Sequence, residues 1–577
     1  MGKALVTLIN PNKVHPGITP YALDILTTSL EQNQFDVEVI DLTFEREHWR
    51  ELLARYFAER EPLLIGCTIR NTDTIYPQEQ RVFLAEHREI IAAVRALSDA
   101  PIVCGGVGFS SMPFALVDYF GVDYAVKGPG ELILSQLADN LYHSRSPYTV
   151  IGLIINESGK IIQVDSDTPR LLTGRADRVN RVTAYNRRSG VPWRVDNREY
   201  YRRGGLSNII TKNGCSFSCT HCVEPDAKGN QFAKRSYRSV VDEIEALASQ
   251  GVRDIHTTDS EVNLSLGHIK KILREIISRK AADRESPLHG MRLWMYCQPV
   301  PFDEEFADLL RLAGCAGVNF GSDHTCDDML KSWKVTANGA RFYTYEHIKR
   351  ANQLVVDRGM LVMHDILLGM PGETIDTVYQ CIDETLALDA TVIGYTLGIR
   401  IFPYSPLGVR FAAESDGERT IPGLQSNTAV GPILLKPVEA CESRVQYERQ
   451  FMFDEHGRFR PVYYFSPELP ESAETLRGPS RQWARTVELM WDYIAKEDHH
   501  RVMLPTLPGL SKDDNNYADN PFLTALVELG YKGAFWARWR ERDEIIEQAR
   551  VRRSVPRASQ SQKLRAASLS MSQLAGG

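Results

Sequence analysis

The sequence predicts an α/β protein with two sheet-bearing domains followed by a mainly helical C-terminal region. Short apolar runs typical of buried strands alternate with amphipathic helical patterns through residues 1–150, and the same alternation returns through residues 204–412. Such alternation indicates parallel sheets with helices on both faces. Residues 413–551 instead carry long helical patterns, over 480–496 and 520–548.

The overall composition is that of a soluble globular protein. Hydrophobic residues make up 43% of the 577 positions and charged residues 24%. The net charge of −7 argues against nucleic acid as the main partner. No apolar run approaches the roughly 20 residues of a membrane helix, and no signal peptide is apparent, so we expect a cytoplasmic protein with no membrane partner. Residues 151–203 are expected to connect the two sheet domains, and residues 552–577 to form a disordered tail.

The first sheet domain, predicted as doubly wound and Rossmann-like, is expected to bind a ligand beyond the carboxyl ends of its strands. Polar residues and glycines follow those strands, and glycine allows the backbone to approach a large flat ligand closely. By itself the pattern leaves the ligand open, since a glycine-rich loop can also be an ordinary turn. The candidate binding residues are Asn10, Arg70, Asn71, Thr72, Asp73, Gly105, Gly106, Gly108, Gly128, Gly130 and Glu131.

Three cysteines, Cys215, Cys219 and Cys222, follow the first predicted strand of the second domain at C-x3-C-x2-C spacing. Three thiolates can hold three irons of a [4Fe–4S] cluster and leave the fourth iron open to another ligand. Zinc is the alternative, but it takes four N or S ligands, and His221 lies between two of the cysteines, where the chain cannot easily turn it onto the same ion. A disulfide role does not fit ten cysteines in 577 residues, which is ordinary usage.

The cysteine spacing resembles the signature of radical S-adenosylmethionine (SAM) enzymes. Two later segments resemble landmarks of that family: Asp365–Thr374, which contains G-x-P-G-E-T after the fifth predicted strand, and Arg400–Leu407 after the sixth. Ahead of the cysteines, Cys104–Gly108 and Val122–Glu131 have the order seen in the cobalamin-dependent members. The chain therefore resembles the cobalamin-dependent radical SAM methyltransferase family through both sheet domains.

This resemblance implies a cobalamin-binding domain over residues 1–150, a partial (β/α)6 barrel over 204–412 and a C-terminal region over 413–551 that caps the barrel. It also implies three cofactors: a [4Fe–4S] cluster on the three cysteines, cobalamin (as methylcobalamin during turnover) and SAM. The candidates in the first domain become implied cobalamin contacts. A reductant such as flavodoxin or ferredoxin is an implied partner, and the implied SAM contacts are Ser322, Asp323 and Arg400.

Three residues are candidates for a direct role in the reaction. Arg70 ends a strand where the lower face of a corrin would lie, and no histidine in the first 150 residues has the D-x-H-x-x-G context that ligates cobalt. A guanidinium cannot donate a lone pair to a metal, although Arg70 is equally suited to clamp a phosphate or carboxylate. Glu261 is suited to bind the SAM ammonium, to occupy the open iron, or to belong to a helix N-terminus. Tyr296 is suited to hydrogen-bond substrate or move a proton, with core packing as the alternative.

Within the family, the combination of Arg70, Glu261 and Tyr296 most resembles the enzymes that methylate C2 of the tryptophan indole in thiopeptide antibiotic biosynthesis. The resemblance implies transfer of a methyl group from SAM, through methylcobalamin, to a carbon of L-tryptophan. Two alternatives stay open. One is a radical methylase, cyclase or oxidase that forms a 5′-deoxyadenosyl radical on another natural product or lipid. The other is a cobalamin-binding regulator with a structural cluster.

Overall fold

Two seven-stranded sheets organise the fold. The computed structural model describes residues 4–14, 17–78, 81–164, 194–205, 207–336, 338–428, 432–472, 479–504, 521–531 and 534–554. No helix in these ranges is long and apolar enough to cross a membrane.

The first sheet comes from the N-terminal part of the chain. Its strands are β1 Leu5–Asn10, β2 Asp36–Asp41, β3 Leu64–Thr68, β4 Ile102–Gly105, β5 Tyr124–Val126, β6 Leu153–Glu157 and β7 Lys160–Gln163. The order is β2-β1-β3-β4-β5-β6-β7, parallel as far as β5 and antiparallel beyond it. Helices cover both faces: Tyr21–Gln32, Trp49–Glu59, Leu84–Leu97, Val107–Ser110, Pro113–Phe120 and Glu131–Tyr142.

The doubly wound prediction is confirmed, but this sheet does not end at residue 150. The hairpin of β6 and β7 extends it at the β5 edge, because the buried residues Leu153, Ile154 and Ile155 add apolar side chains to the packing on both faces of the sheet. The rest of the predicted connecting segment, residues 165–193, lies outside the described residues.

The second sheet forms the predicted partial barrel. Its strands are β8 Ser207–Ile209, β11 Asp254–Thr257, β12 Arg292–Cys297, β13 Cys315–Asp323, β14 Leu361–Leu368, β15 Val392–Leu397 and β19 Val502–Met503. All pair in parallel, in the order β19-β15-β14-β13-β12-β11-β8. Six of them are the six strands predicted for the barrel, and β19 is an addition from the C-terminal region. The short strands outside this sheet are β9 Lys212–Asn213, β10 Ala233–Lys234, β16 Ile399–Arg400, β17 Leu424–Gln425 and β18 Tyr463–Tyr464.

Helices follow the barrel strands and continue into the C-terminal region. They are Asn197–Arg202, Glu224–Lys228, Tyr237–Ser249, Leu266–Ala282, Glu304–Ala313, Asp327–Trp333, Tyr345–Val356, Ile375–Leu386, Pro406–Ser415, Arg444–Arg449, Pro479–Tyr493, Pro521–Glu528 and Arg542–Ser554. The helical pattern over 520–548 is interrupted, because Gly530 adopts a φ of 76° that a continuous helix does not allow. The last helix includes the first three residues of the predicted tail, and residues 555–577 lie outside the described part of the chain.

The C-terminal region closes one end of the barrel. Trp536 packs on Gly317 of β13, where even a single added Cβ would collide with its ring. Trp536 stacks edge-on against Trp294 of β12, with ring centroids 5.1 Å apart. Met363 of β14 joins the same apolar cluster. The barrel interior therefore has a floor made of residues far from it in sequence.

Candidate functional site

The three motif cysteines lie on the loop after β8. Cys215 and Cys219 are buried, Cys222 is half-buried, and all three are free thiols. Backbone hydrogen bonds hold the loop: the Cys215 N–H donates to the Gly229 carbonyl and the Cys222 N–H to the Cys219 carbonyl, both at 3.0 Å. Burial raises the pKa of each thiol, that of Cys219 to about 12. Thiolates at these positions therefore need a cationic partner, and three sulfur donors fit a cluster with one open iron.

In the described ranges, no three His, Cys, Asp or Glu side chains are grouped to hold a single metal ion.

Glu261 lies beside the cysteine loop, just after β11, and its backbone has a φ of 63°. Its Oε1 accepts a hydrogen bond from the Gln298 amide at 2.9 Å, whereas its Oε2 is buried without a partner among the described residues. Burial raises the pKa of this carboxyl to about 7. The absence of a side chain at Gly321 of β13 leaves space for the Glu261 carboxylate, because a Cβ there would collide with Oε1. An unpartnered buried carboxylate oxygen fits either predicted role, as ligand of the open iron or as ammonium acceptor.

Lys334 is a buried cation near the cysteines that sequence reasoning missed. Its Nζ donates to an oxygen of Asp323 at 2.8 Å and to the Gly321 carbonyl at 3.1 Å. The positive charge of Lys334 lowers the Cys219 pKa, although less than burial raises it. Asp323 also lies 3.7 Å from Nε2 of His221. A lone lysine after a short helix carries no sequence signal for such a position.

A cavity of about 220 Å³ lies between the carboxyl ends of the first sheet and the barrel. Its apolar wall includes Gly66 of β3, where a Cβ would lie 2.7 Å from Cδ2 of Leu8. Glycine therefore keeps a slot open along the sheet face, as a bulky cofactor tail requires. The predicted contacts Gly105, Gly106, Gly128, Gly130 and Glu131 all border this cavity, opposite the barrel residues Lys212, Lys228, Arg235, Asp259 and Ser260.

A larger cavity, of about 540 Å³, lies inside the barrel and reaches the first domain. We call it the barrel cavity. The first domain contributes Arg70 and Asn71, and the barrel contributes Tyr296. Three residues that were predicted at distant points of the sequence are thus brought to one space. Further lining comes from Val107, His256, Asn319, Met363, Leu523, Leu526 and Trp536.

Several predicted cofactor contacts lie outside both cavities, with side chains bonded within the protein. The Asn10 amide donates to Asp41 and Thr43, and the Thr72 hydroxyl donates to Asp73 at 3.1 Å. Gly108 approaches the backbone of Arg70 so closely that a Cβ would lie 2.5 Å from its carbonyl oxygen. These positions support the loops around the cavities, and their predicted contact with a cofactor stays a prediction.

Asp73 and Arg400, both predicted as cofactor contacts, pair with each other. Arg400 Nε lies 3.1 Å from Asp73 Oδ2, and both side chains are almost fully buried. The pair joins the first sheet domain to the segment after β15. Ser322 is also engaged internally, because its hydroxyl lies 2.8 Å from Nδ1 of the buried His364. Whether these three residues touch a cofactor stays a prediction.

Comparison with known proteins identifies the family. The Radical SAM superfamily profile matches residues 209–384, and the B12 binding domain profile matches residues 11–138. The tryptophan 2-C-methyltransferase of Streptomyces laurentii is 51% identical over an alignment that covers 95% of this chain and 98% of that protein.

Two solved structures of the radical SAM methyltransferase TsrM from Kitasatospora setae also match. The one with cobalamin and a [4Fe–4S] cluster bound is 55% identical, with a TM-score of 0.88, over 96% of this chain and 100% of that one. The one with tryptophan substrate and the SAM analogue aza-SAM is 56% identical, with a TM-score of 0.87, over 95% and 100%. The chain carries a B12-binding domain followed by a radical SAM domain, as predicted, and it belongs to the family of the tryptophan 2-C-methyltransferase of Streptomyces laurentii.

Proposed function

We propose that this protein is a cobalamin- and [4Fe–4S]-dependent methyltransferase that moves a methyl group from SAM to C2 of the L-tryptophan indole. The observation that carries the proposal is the barrel cavity. It joins the first domain at Arg70 to the barrel wall at Tyr296, above an apolar floor that includes Trp536. Its mixed apolar and polar lining suits an aromatic amino acid.

The cofactor roles follow from the donor sets. Cys215, Cys219 and Cys222 hold three irons of the cluster. The unpartnered oxygen of Glu261 is available to bind the fourth iron or to accept a hydrogen bond from the SAM ammonium. When bound, cobalamin supplies a methyl group that can leave cobalt as an electrophile. Arg70 keeps its protons at any ordinary pH and offers no lone pair to a metal, so it supports a cofactor face without ligating it.

The protein's own contribution to transfer is to hold the indole and to exclude water. Leu523, Leu526 and Trp536 give the barrel cavity an apolar floor against which an indole ring can pack. Indole C2 is electron-rich, so a held ring can accept an electrophilic methyl group without first losing a hydrogen atom. This favours direct transfer over a route through a deoxyadenosyl radical.

We also propose that the reaction belongs to thiopeptide antibiotic biosynthesis and takes place in the cytoplasm. An oxygen-sensitive cluster requires a reducing compartment. A cluster and a cobalamin that must be reduced before use require an electron donor, for which a flavodoxin or ferredoxin is suited.

Anaerobic reconstitution tests the proposal. The protein is loaded with iron, sulfide and cobalamin, given SAM and L-tryptophan, and the products are followed by mass spectrometry. We expect 2-methyltryptophan and S-adenosylhomocysteine without deoxyadenosine. Deoxyadenosine formed in step with product would indicate a radical enzyme instead. Absence of tryptophan turnover would exclude L-tryptophan as the substrate. Cys219→Ala should abolish activity and lower the iron content, whereas Cys441→Ala, at a half-buried free cysteine outside the motif, should leave both unchanged.

A further inference from the structure

A histidine in the barrel wall is placed to contact a ligand in the barrel cavity. His256 lies on β11 and borders the cavity. Its ring meets Tyr296 edge-on, with centroids 4.6 Å apart, so the tyrosine limits how the imidazole can turn. Within the ranges that the structure describes, neither ring nitrogen of His256 has a hydrogen-bond partner, and the half-buried side chain lines the cavity. A histidine held in place by an aromatic contact, with both nitrogens free, is equipped to bond to a ligand.

The other histidines of the barrel interior differ from it. Nδ1 of His364 lies 2.8 Å from the Ser322 hydroxyl, and Nε2 lies 3.1 Å from the Asn352 amide oxygen. His324 is fully buried, and its Nδ1 accepts a hydrogen bond from the Cys326 N–H at 3.0 Å. Both of these histidines are internal, and neither borders the barrel cavity. His256 is thus set apart by access to the cavity as well as by its free nitrogens.

His256 is neutral at physiological pH, because burial lowers its pKa to about 4. A neutral imidazole carries a lone pair on one ring nitrogen, which can accept a proton or a hydrogen bond. A base of such low pKa is weak toward ordinary substrates. It is sufficient for the strongly acidic proton on the tetrahedral carbon of a positively charged indole ring.

Methylation at C2 creates such a proton. The new carbon–carbon bond uses an electron pair of the indole ring, and the methyl group leaves its donor without its bonding pair. The ring then carries a positive charge and a hydrogen on the carbon that has gained the methyl group. Aromaticity returns when that hydrogen departs as a proton and the electrons of its bond go back to the ring. A nearby acceptor must take the proton.

We propose that His256 accepts the proton that indole C2 releases, with Tyr296 as the residue that positions the imidazole. This inference rests on the proposed function and adds to it the fate of the displaced hydrogen. His256 is a catalytic residue in this scheme, since it takes the proton from the substrate itself. Tyr296 acts through it by edge-on contact.

His256→Gln is the first test, with His500→Gln as the matched control at an exposed histidine. Glutamine keeps a hydrogen-bonding side chain of similar reach but cannot take a proton at neutral pH. General-base catalysis is worth roughly 10²–10⁴-fold, so we expect kcat to fall by about 10²-fold or more. Tryptophan affinity of the reconstituted holoenzyme, measured by isothermal titration calorimetry, should change little. The control variant should match the unaltered protein in both measurements.

A kinetic isotope effect and chemical rescue separate proton removal from a structural role. With tryptophan deuterated at C2, the rate of His256→Gln should fall more than that of the unaltered protein, because loss of the proton has become slow. Imidazole added to His256→Ala should restore part of kcat. Iron content, cobalamin content and circular dichroism of both variants establish that they are folded and loaded.

Four results would overturn the inference. The first is a kcat of His256→Gln close to that of the unaltered protein. The second is loss of tryptophan binding with kcat preserved. The third is a reduced kcat without a deuterium effect or imidazole rescue. The fourth is a nitrogen splitting in the electron paramagnetic resonance spectrum of the cob(II)alamin-loaded protein that disappears in His256→Gln, which would make His256 a cobalt ligand. Failure of the unaltered protein to methylate tryptophan would instead remove the proposed function, and this inference with it.

Discussion

Replacing Glu448 by glutamine should flatten the dependence of stability on pH. Glu448, on the helix Arg444–Arg449, is fully buried against the first domain. One of its oxygens accepts the Ala115 N–H at 2.8 Å and the other accepts the Tyr404 hydroxyl at 2.7 Å. These two bonds favour the ionised carboxylate, but burial outweighs them and raises the pKa from 4.5 to about 8. At neutral pH the Glu448 carboxyl is therefore protonated in the native protein and ionised in the unfolded chain.

The sign and size of the pH effect on the free energy of unfolding follow from the difference between the native and unfolded pKa values of Glu448. Because the native state binds the proton more tightly, the stability due to Glu448 is fully present below pH 4.5 and is lost as the pH rises through about 8. Each pH unit in this window lowers the free energy of unfolding by about 1.4 kcal/mol. Between pH 6 and pH 8 the loss amounts to roughly 2–3 kcal/mol. Glutamine has the shape of the protonated carboxyl, so Glu448→Gln removes this loss while keeping partners for both Ala115 and Tyr404.

Urea unfolding at pH 6 and pH 8, followed by circular dichroism, measures the effect. The comparison of variant with unaltered protein cancels the other titrating groups, and Glu418→Gln, at an exposed glutamate, serves as the control. We expect the variant to be the more stable protein at both pH values, and its advantage to grow by roughly 2–3 kcal/mol from pH 6 to pH 8. An equal fall in both proteins between these pH values would show that the carboxyl is already ionised, and would refute the assignment.

Three further predictions concern positions at which the structure leaves little freedom. Gly66→Val should abolish cobalamin uptake, measured by absorbance, because the side chain fills the smaller cavity. Iron content should be unchanged, as a control. Normal uptake would contradict the proposal that this cavity holds part of the cobalamin. Asp73→Ala should lower the free energy of unfolding by about 3–5 kcal/mol, since it leaves the buried Arg400 unpaired; a loss below about 1 kcal/mol would mean that water reaches the pair. Gly317→Val should displace Trp536 and weaken tryptophan binding, measured by calorimetry, without lowering cobalamin content. An unchanged affinity would contradict the role of Trp536 as part of the substrate site.

Features that depend on local sequence could be predicted. The helix Tyr21–Gln32 and the strand Asp254–Thr257 are examples of the alternation predicted for the two sheet domains, because each shows its own apolar period between clear ends. The candidate cluster loop was predictable for the same reason, since the spacing of three cysteines within eight residues needs no knowledge of the rest of the fold. Strand β19 was not predicted, because two residues are too few to show a period.

Features that depend on how the domains pack could not be predicted. Asp73 and Arg400 both follow strands, where ligands are expected, and nothing within either segment indicates that they pair across 327 positions. His256 was missed because a histidine in a short strand is indistinguishable from a core residue. The alternation of side chains along β11 was the only available signal, and it acquires meaning only once Tyr296 is known to lie on the neighbouring strand.

The floor of the barrel cavity has an evolutionary consequence. The residues proposed to hold the cluster and the cobalamin all lie in the first two sheet domains, whereas the floor is supplied by a separate stretch that includes Leu523, Leu526 and Trp536. Substitutions in that stretch can reshape the chamber for a different acceptor while the cofactor chemistry stays intact. Selection can therefore act on substrate choice and on reaction type independently, and relatives that share both cofactor domains are free to diverge first at their C-terminal ends.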